Sequence, residues 1–120
     1  MSDNIIVSVI IPMLNEEKYI ENCINSLINQ TFPKCRMEWL LIDGDSDDNT
    51  VAICRKHEKD HPVRILRNPD KKTTYALNLG IKESIGKYIL RMDAHALYDK
   101  NYIEKCVYFL ENTDADNVGD

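Results

Sequence analysis

With 120 residues, 43 % of them hydrophobic, the chain is long enough to bury one core of its own without metal or disulfide staples. Its 15 basic and 20 acidic residues leave a formal net charge of −5, which repels a phosphate backbone and argues against nucleic acid as a partner. No run approaches the roughly 20 apolar residues that span a bilayer, so the sequence reads as a soluble piece whose membrane association, if any, belongs to other regions.

Residues 5–11 are rich in β-branched side chains and stop at Pro12, which predicts a strand buried on both faces. Residues 16–29 carry Ile20, Cys23, Ile24, Leu27 and Ile28 at helical spacing, behind acidic Glu16 and Glu17. The alternation continues with a strand over 38–42, a helix over 48–59 and a short strand over 63–66. A third helix is expected over 74–84, with Ala76, Leu77, Ile81 and Ile85 on its inner side and Gly86 as its C-cap. A strand over 87–92 follows, then a helix capped by Asp99 that carries Ile103, Cys106, Val107 and Leu110. The last residues, from Asp116 to Asp120, enter a further strand.

Strands alternating with helices give an α/β fold: an open, mostly parallel sheet with helices on both faces, forming one Rossmann-like nucleotide-binding domain over residues 1–120. Cys23, Cys35, Cys54 and Cys106 are scattered without a Cys-x-x-Cys pair, and read as reduced thiols that pack in the core. Met1-Ser2-Asp3-Asn4 lacks the basic start and cleavage site of a signal peptide. Both features point to the cytoplasm, at the inner face of the membrane if the protein is anchored there.

In open sheets of this class ligands bind outside the carboxyl ends of the strands, where the strand order reverses. The loops to inspect are therefore 12–16, 43–50, 68–75 and 93–99. Asp43 directly follows Leu40-Leu41-Ile42, so it is expected at a strand end, pointing into the crevice. Asp47 and Asp48 suit helix capping. Lys71 and Lys72 suit a solvated loop, although a lysine there can reach a phosphate. The stretch beginning Asp43-Gly44-Asp45 mimics a calcium loop but fails: Asp48 stands at the required glycine and Cys54 at the bidentate glutamate. Asp93-Ala94-His95 follows Leu90-Arg91-Met92, and a carboxylate with an imidazole two residues on can bind one divalent ion. Mn²⁺ or Mg²⁺ suits such a site, because carboxylates facing a diphosphate would otherwise repel it.

The chain resembles the amino-terminal half of a family 2 glycosyltransferase of the GT-A fold. The resemblance is carried by Val7-Ser8-Val9-Ile10-Ile11-Pro12-Met13-Leu14-Asn15-Glu16-Glu17, by Leu27-Ile28-Asn29-Gln30-Thr31-Phe32 and by Leu41 to Thr50. Ala76-Leu77-Asn78-Leu79-Gly80 and Ser84-Ile85-Gly86-Lys87-Tyr88-Ile89 complete it, five blocks in order. It implies that Pro12, Leu14 and Glu16 line the nucleoside pocket, that Asp43 accepts a hydrogen bond from the base, typically uracil N3–H, and that Asp93 opens a metal motif. Lys72 is the lysine assigned to the nucleotide, and Asp93 and His95 to Mn²⁺ or Mg²⁺. The implied reaction moves a sugar from a nucleotide diphosphate sugar, UDP-linked, to a hydroxyl of a glycan or lipid-linked saccharide acceptor, with inversion, in bacterial cell-surface polysaccharide or glycan synthesis.

Three departures from the family pattern matter. Gly44 replaces the second acidic residue after the second strand, and His95 replaces the second aspartate of the metal motif, a variant like that of succinoglycan-type exopolysaccharide transferases. The third is length: a whole GT-A domain needs about twice this chain, so the catalytic base is expected beyond Asp120 and this polypeptide is expected to hold the donor site only. A phosphoacceptor receiver domain shares the outline, but its phosphorylated Asp after the third strand is missing, since that strand ends Arg67-Asn68-Pro69. A dinucleotide-binding dehydrogenase is excluded because residues 12–17 hold no glycine for a phosphate-cradling turn. A non-catalytic α/β interaction module stays open.

Overall fold

The computed structural model describes residues 4–113 and 117–118. Five parallel strands form one sheet: β1 (Val7–Met13), β2 (Met37–Asp43), β3 (Val63–Arg67), β4 (Tyr88–Arg91) and β5 (Asn117–Val118), in the order β3-β2-β1-β4-β5. The connections carry α1 (Ile20–Ile28), α2 (Thr50–Arg55), α3 (Thr73–Glu83) and α4 (Tyr102–Glu111), with a 3-10 turn at Lys34–Arg36 before β2. The expected parallel α/β sheet is therefore present. The first three strands step outward from β1 on one side and β4 lies on its other side, which puts the reversal of order between the carboxyl ends of β1 and β4.

Strand parity divides the core. Val7, Val9, Ile11 and Met13 of β1, with Met37, Trp39 and Leu41 of β2, pack with α1, α2 and α4 on one face. Ile10, Leu40 and Ile42 point the opposite way and are covered by α3 through Ala76. The inner stripe of α3 is Ala76 and Gly80, whereas Ile81 and Ile85, expected inside, are exposed. The helix rides too close to the sheet for large side chains: a Cβ on Gly80 would come within 2.7 Å of Ile10 and 2.9 Å of Ile42. Gly86 serves a similar purpose rather than capping the helix. A Cβ there would meet the Ser8 backbone nitrogen at 2.6 Å, and α3 ends in an extended residue, Ser84.

Beneath α3 lies a buried polar network. Ser8 donates to Glu38 at 2.6 Å, the Ile85 N–H donates to the same carboxylate at 2.8 Å, and Arg64 pairs with Glu38 at 2.9 Å while also binding the Glu83 carbonyl. Glu38 is thus a buried charge with its partners in place, which is the condition for tolerating one.

Several boundaries differ from the sequence reading, among them that of α4, which begins at Tyr102 behind Asn101 rather than under a cap from Asp99. β1 runs through Pro12 to Met13 because pairing with β4 ends at Ile10 opposite Arg91, so the missing Pro12 N–H faces no partner strand. α1 begins at Ile20, not at residue 16, because Asn15 takes a left-handed conformation (φ 52°) and the chain turns before the helix. α2 stops at Arg55 and tightens into i→i+3 turns, since Arg55-Lys56-His57-Glu58-Lys59-Asp60 offers no aliphatic side chain to hold a helix on the sheet. The strand expected at the end is present as β5, and residues 1–3, 114–116 and 119–120 lie outside the described residues.

Candidate functional site

A groove crosses the carboxyl edge of the sheet at the reversal point. One lobe, about 150 Å³, is lined by Leu14, Gly44, Asn68 and Lys71 among others, and a second, about 180 Å³, by Arg91, Asp93 and His95. Pro12, Glu16 and Thr73 line both lobes and join them. Pro12, Leu14, Glu16, Asp93 and His95 all line this groove.

A zipper of hydrogen bonds joins the loops after β1 and β2, which carry Leu14, Glu16 and Gly44 of the first lobe. The Asn15 side chain accepts from the Asp47 N–H at 2.7 Å, the Asn15 N–H donates to Ser46, and the Glu16 N–H donates to the Thr50 hydroxyl at 2.7 Å. Asp48 takes the role assigned to it, receiving the Thr50 N–H at 2.9 Å and the Glu17 N–H at 3.2 Å. Desolvation opposes its ionisation, but the hydrogen bonds from Thr50 and Glu17 outweigh that and hold the carboxyl below its ordinary value.

Asp43 is not where the sequence reading put it. Its carboxylate is buried on the α2 side of the sheet, where Oδ2 accepts the N–H groups of Asp45 and Ser46 at 3.0 and 3.1 Å and Oδ1 accepts the Ser46 hydroxyl at 2.6 Å. The reason is parity: Asp43 is in register with Met13, whose side chain faces α1 and α2, so the residue that faces the groove is the next one, Gly44. A Cβ at Gly44 would meet its neighbours no closer than 3.4 Å, so the cleft has room there that no side chain fills.

The lysines are exchanged in the same way. Lys71 lines the groove in a left-handed conformation (φ 64°) and its Nζ donates to the carbonyls of Gly44 and Asp45 at 3.2 and 3.1 Å. Lys72, the lysine chosen from sequence, precedes α3 and turns its ammonium over the Tyr75 ring at 5.9 Å, away from the lining. Asn68, Thr73 and Arg91 are polar lining residues to which the sequence reading gave no role. Thr73 begins α3 and lines both lobes, so the N-terminal turn of that helix, where backbone N–H groups lack intrahelical partners, lies at their junction.

In the second lobe the Asp93 Oδ1 accepts the His95 N–H at 2.8 Å, and the Tyr98 hydroxyl accepts the Asp93 N–H at 2.8 Å. His95 Nδ1 lies 2.7 Å from Glu16 Oε1, and its ring meets Tyr19 edge to face at 5.2 Å. Burial is the largest influence on Glu16 and raises its pKa; His95 lowers it, and the charges of Asp93 and Asp48 add to the rise. Among the described residues no three His, Cys, Asp or Glu side chains converge tightly enough to hold an ion unaided. The donor chemistry still fits Mn²⁺ or Mg²⁺, which bind one or two protein ligands and complete their shell with phosphate oxygens and water.

The sequence of residues 8–120 matches the model of glycosyl transferase family 2. The chain belongs to that family. It is 37 % identical over 101 residues to a dolichyl N-acetyl-α-D-glucosaminyl phosphate 3-β-D-2,3-diacetamido-2,3-dideoxy-β-D-glucuronosyltransferase of Methanococcus voltae, covering 82 % of this chain and 32 % of the relative. Glycosyltransferase AglE of Haloferax volcanii is 34 % identical over 115 residues, 94 % of this chain and 38 % of its own length. The chain thus spans about a third of the length of these relatives.

Among solved structures, Staphylococcus aureus TarS 1-349 in complex with UDP-GlcNAc superposes with a TM-score of 0.83 at 28 % identity, over 89 % of this chain and 31 % of that one. A mannosyltransferase of Pyrobaculum calidifontis, solved with GDP-Man and Mn²⁺, gives a TM-score of 0.83 at 24 % identity over 91 % of this chain and 33 % of its own, a likeness of fold. The GT-A fold expected from the sequence is therefore that of its structural neighbours. Among the described residues no helix is long and apolar enough to cross a membrane.

Proposed function

We propose that this chain is the donor-binding part of a glycosyltransferase that moves a sugar from a UDP-linked donor to an acceptor hydroxyl with inversion, in the synthesis of cell-surface polysaccharide or glycan. The observation that carries this reading is the two-lobed groove, whose one end carries Leu14, Gly44 and Lys71 and whose other carries Arg91, Asp93 and His95, joined across the start of α3. That shape suits a base at Leu14 and Gly44, a diphosphate at the N-terminus of α3, and a cation at Asp93 and His95. TarS, whose structures hold UDP and UDP-GlcNAc, lends support to the uridine donor.

With no carboxylate at position 44, the base meets backbone groups and the Asn68 amide, and Asp43 acts from behind by fixing the loop that carries Gly44. Lys71 and Arg91 supply positive charge at opposite ends of the groove. Asp93 and His95 would hold the Mn²⁺ or Mg²⁺, which when bound neutralises the diphosphate and steadies charge on the departing phosphate. We place the general base on sequence after Asp120, because Glu16 is engaged with His95 and Asp93 with the metal loop. The acceptor is a glycan or lipid-linked saccharide, and the setting is the cytoplasm.

Chemical-shift mapping tests this assignment. Titrating UDP and Mg²⁺ into the ¹⁵N-labelled chain is expected to shift the amides of Leu14, Gly44, Lys71 and Thr73, and to leave those of Val51 and Arg55, on the Asp43 side, unmoved. Shifts confined to the Asp43 side would defeat the assignment of the groove.

A further inference from the structure

From the contacts of His95 we infer that Glu16 is a positioning residue. It holds the His95 ring in the tautomer that carries its proton on Nδ1, which leaves Nε2 as the lone-pair nitrogen offered to a cation in the groove. The inference rests on the donor-site reading above and assigns to Glu16 a task other than lining a nucleoside pocket.

Four contacts support it. Glu16 Oε1 stands 2.7 Å from His95 Nδ1, a charge-assisted distance, so an ionised Glu16 accepts the proton on that nitrogen. The Glu16 side chain is 12 % exposed and its backbone N–H is tied to the Thr50 hydroxyl at 2.7 Å, so the acceptor is anchored to the start of α2 and does not wander with its partner. The His95 side chain, 58 % exposed, has little else to fix it: the ring has the Tyr19 edge at 5.2 Å, and its backbone N–H is bound by Asp93 Oδ1 at 2.8 Å. Without Glu16 the ring could rotate, and an isolated neutral imidazole could place its proton on either nitrogen. Metal-binding histidines regularly give their second ring N–H to a carboxylate that fixes tautomer and orientation. Here that carboxylate comes from the loop after β1, so the two strands at the reversal point each supply one half of the ligand assembly.

The histidine tautomer is read directly by long-range ¹H–¹⁵N correlation NMR on the metal-free chain, and Mn²⁺ affinity in the presence of UDP by the EPR signal of free Mn²⁺. Wild type is expected to show His95 protonated on Nδ1. Glu16→Ala is expected to move the proton toward Nε2 and to weaken Mn²⁺ binding by about 10- to 100-fold, the usual loss when such a partner is removed. Glu16→Gln, whose amide oxygen still accepts, is expected to recover most of both. A wild-type ring protonated on Nε2, or a folded Glu16→Ala chain that keeps the wild-type tautomer, would overturn the inference. If His95→Ala binds Mn²⁺ as tightly as wild type, the metal reading fails by itself, and the tautomer measurement still decides what Glu16 does.

Discussion

The loops after β2 and β4 look alike in sequence, each an acidic residue on the end of an apolar strand, yet the structure uses them in opposite ways. Asp43 turns into its own loop and spends its carboxylate on Asp45 and Ser46, while Asp93 stays at the groove and receives one backbone N–H from His95. The difference shows that a strand-end carboxylate is assigned by two things: the face on which strand parity places it, and the number of donors its loop offers. Where the loop satisfies the group, the carboxylate builds the site; where it leaves oxygens over, the carboxylate serves the ligand.

The largest effect that should follow is on stability. Asp43→Ala removes the buried carboxylate that accepts three hydrogen bonds from its own loop, so the chain should lose about 2–3 kcal/mol in urea unfolding. Asp93→Ala should unfold within experimental error of wild type, and equal losses in the two variants would erase the distinction. The lysines offer a second split. Lys71→Ala removes a charged donor from the cleft and should weaken UDP binding about tenfold, while Lys72→Ala, which releases only a contact with Tyr75, should leave it near wild type by calorimetry.

Much of this was legible beforehand. The period of apolar residues located β1 to β4 and α1 to α4, and the reversal-point rule located the four loops that meet at the groove. The errors share one physical origin. Whether Asp43 or Gly44, Lys71 or Lys72, faces a ligand depends on a single step of backbone phase, and local hydrogen bonds and left-handed residues such as Asn15, Asp45 and Lys71 set that phase. The same holds for α3, where the close approach set by Gly80 and Gly86 overrides the apolar stripe of Ile81 and Ile85.

Two smaller effects depend on pH. Asp48 is held below its ordinary pKa of 3.8, so its contribution is present above that value and is lost as pH falls through the folded pKa. Asp48→Ala should therefore lower Tm at pH 7, and the gap from wild type should narrow below pH 3.8. Glu16 has the opposite sign. Its pKa is raised above 4.5, chiefly by burial, so the contribution it makes is complete below 4.5 and is lost as pH rises through the folded value. Glu16→Gln, neutral throughout, should melt slightly higher than wild type at pH 7 and coincide with it at pH 4; a lower Tm at pH 7 would mean that the His95 pairing outweighs the cost of burial.

The central claim is that this groove takes a nucleotide diphosphate through a cation held at Asp93 and His95. Calorimetric titration of UDP into the wild-type chain and into Asp93→Ala, each with and without Mn²⁺, tests it most directly. Wild type should bind UDP in a Mn²⁺-dependent manner, and that binding should disappear in Asp93→Ala while its Tm is unchanged. Absence of UDP binding by the folded wild-type chain in the presence of Mn²⁺, or binding by Asp93→Ala equal to wild type, would contradict it.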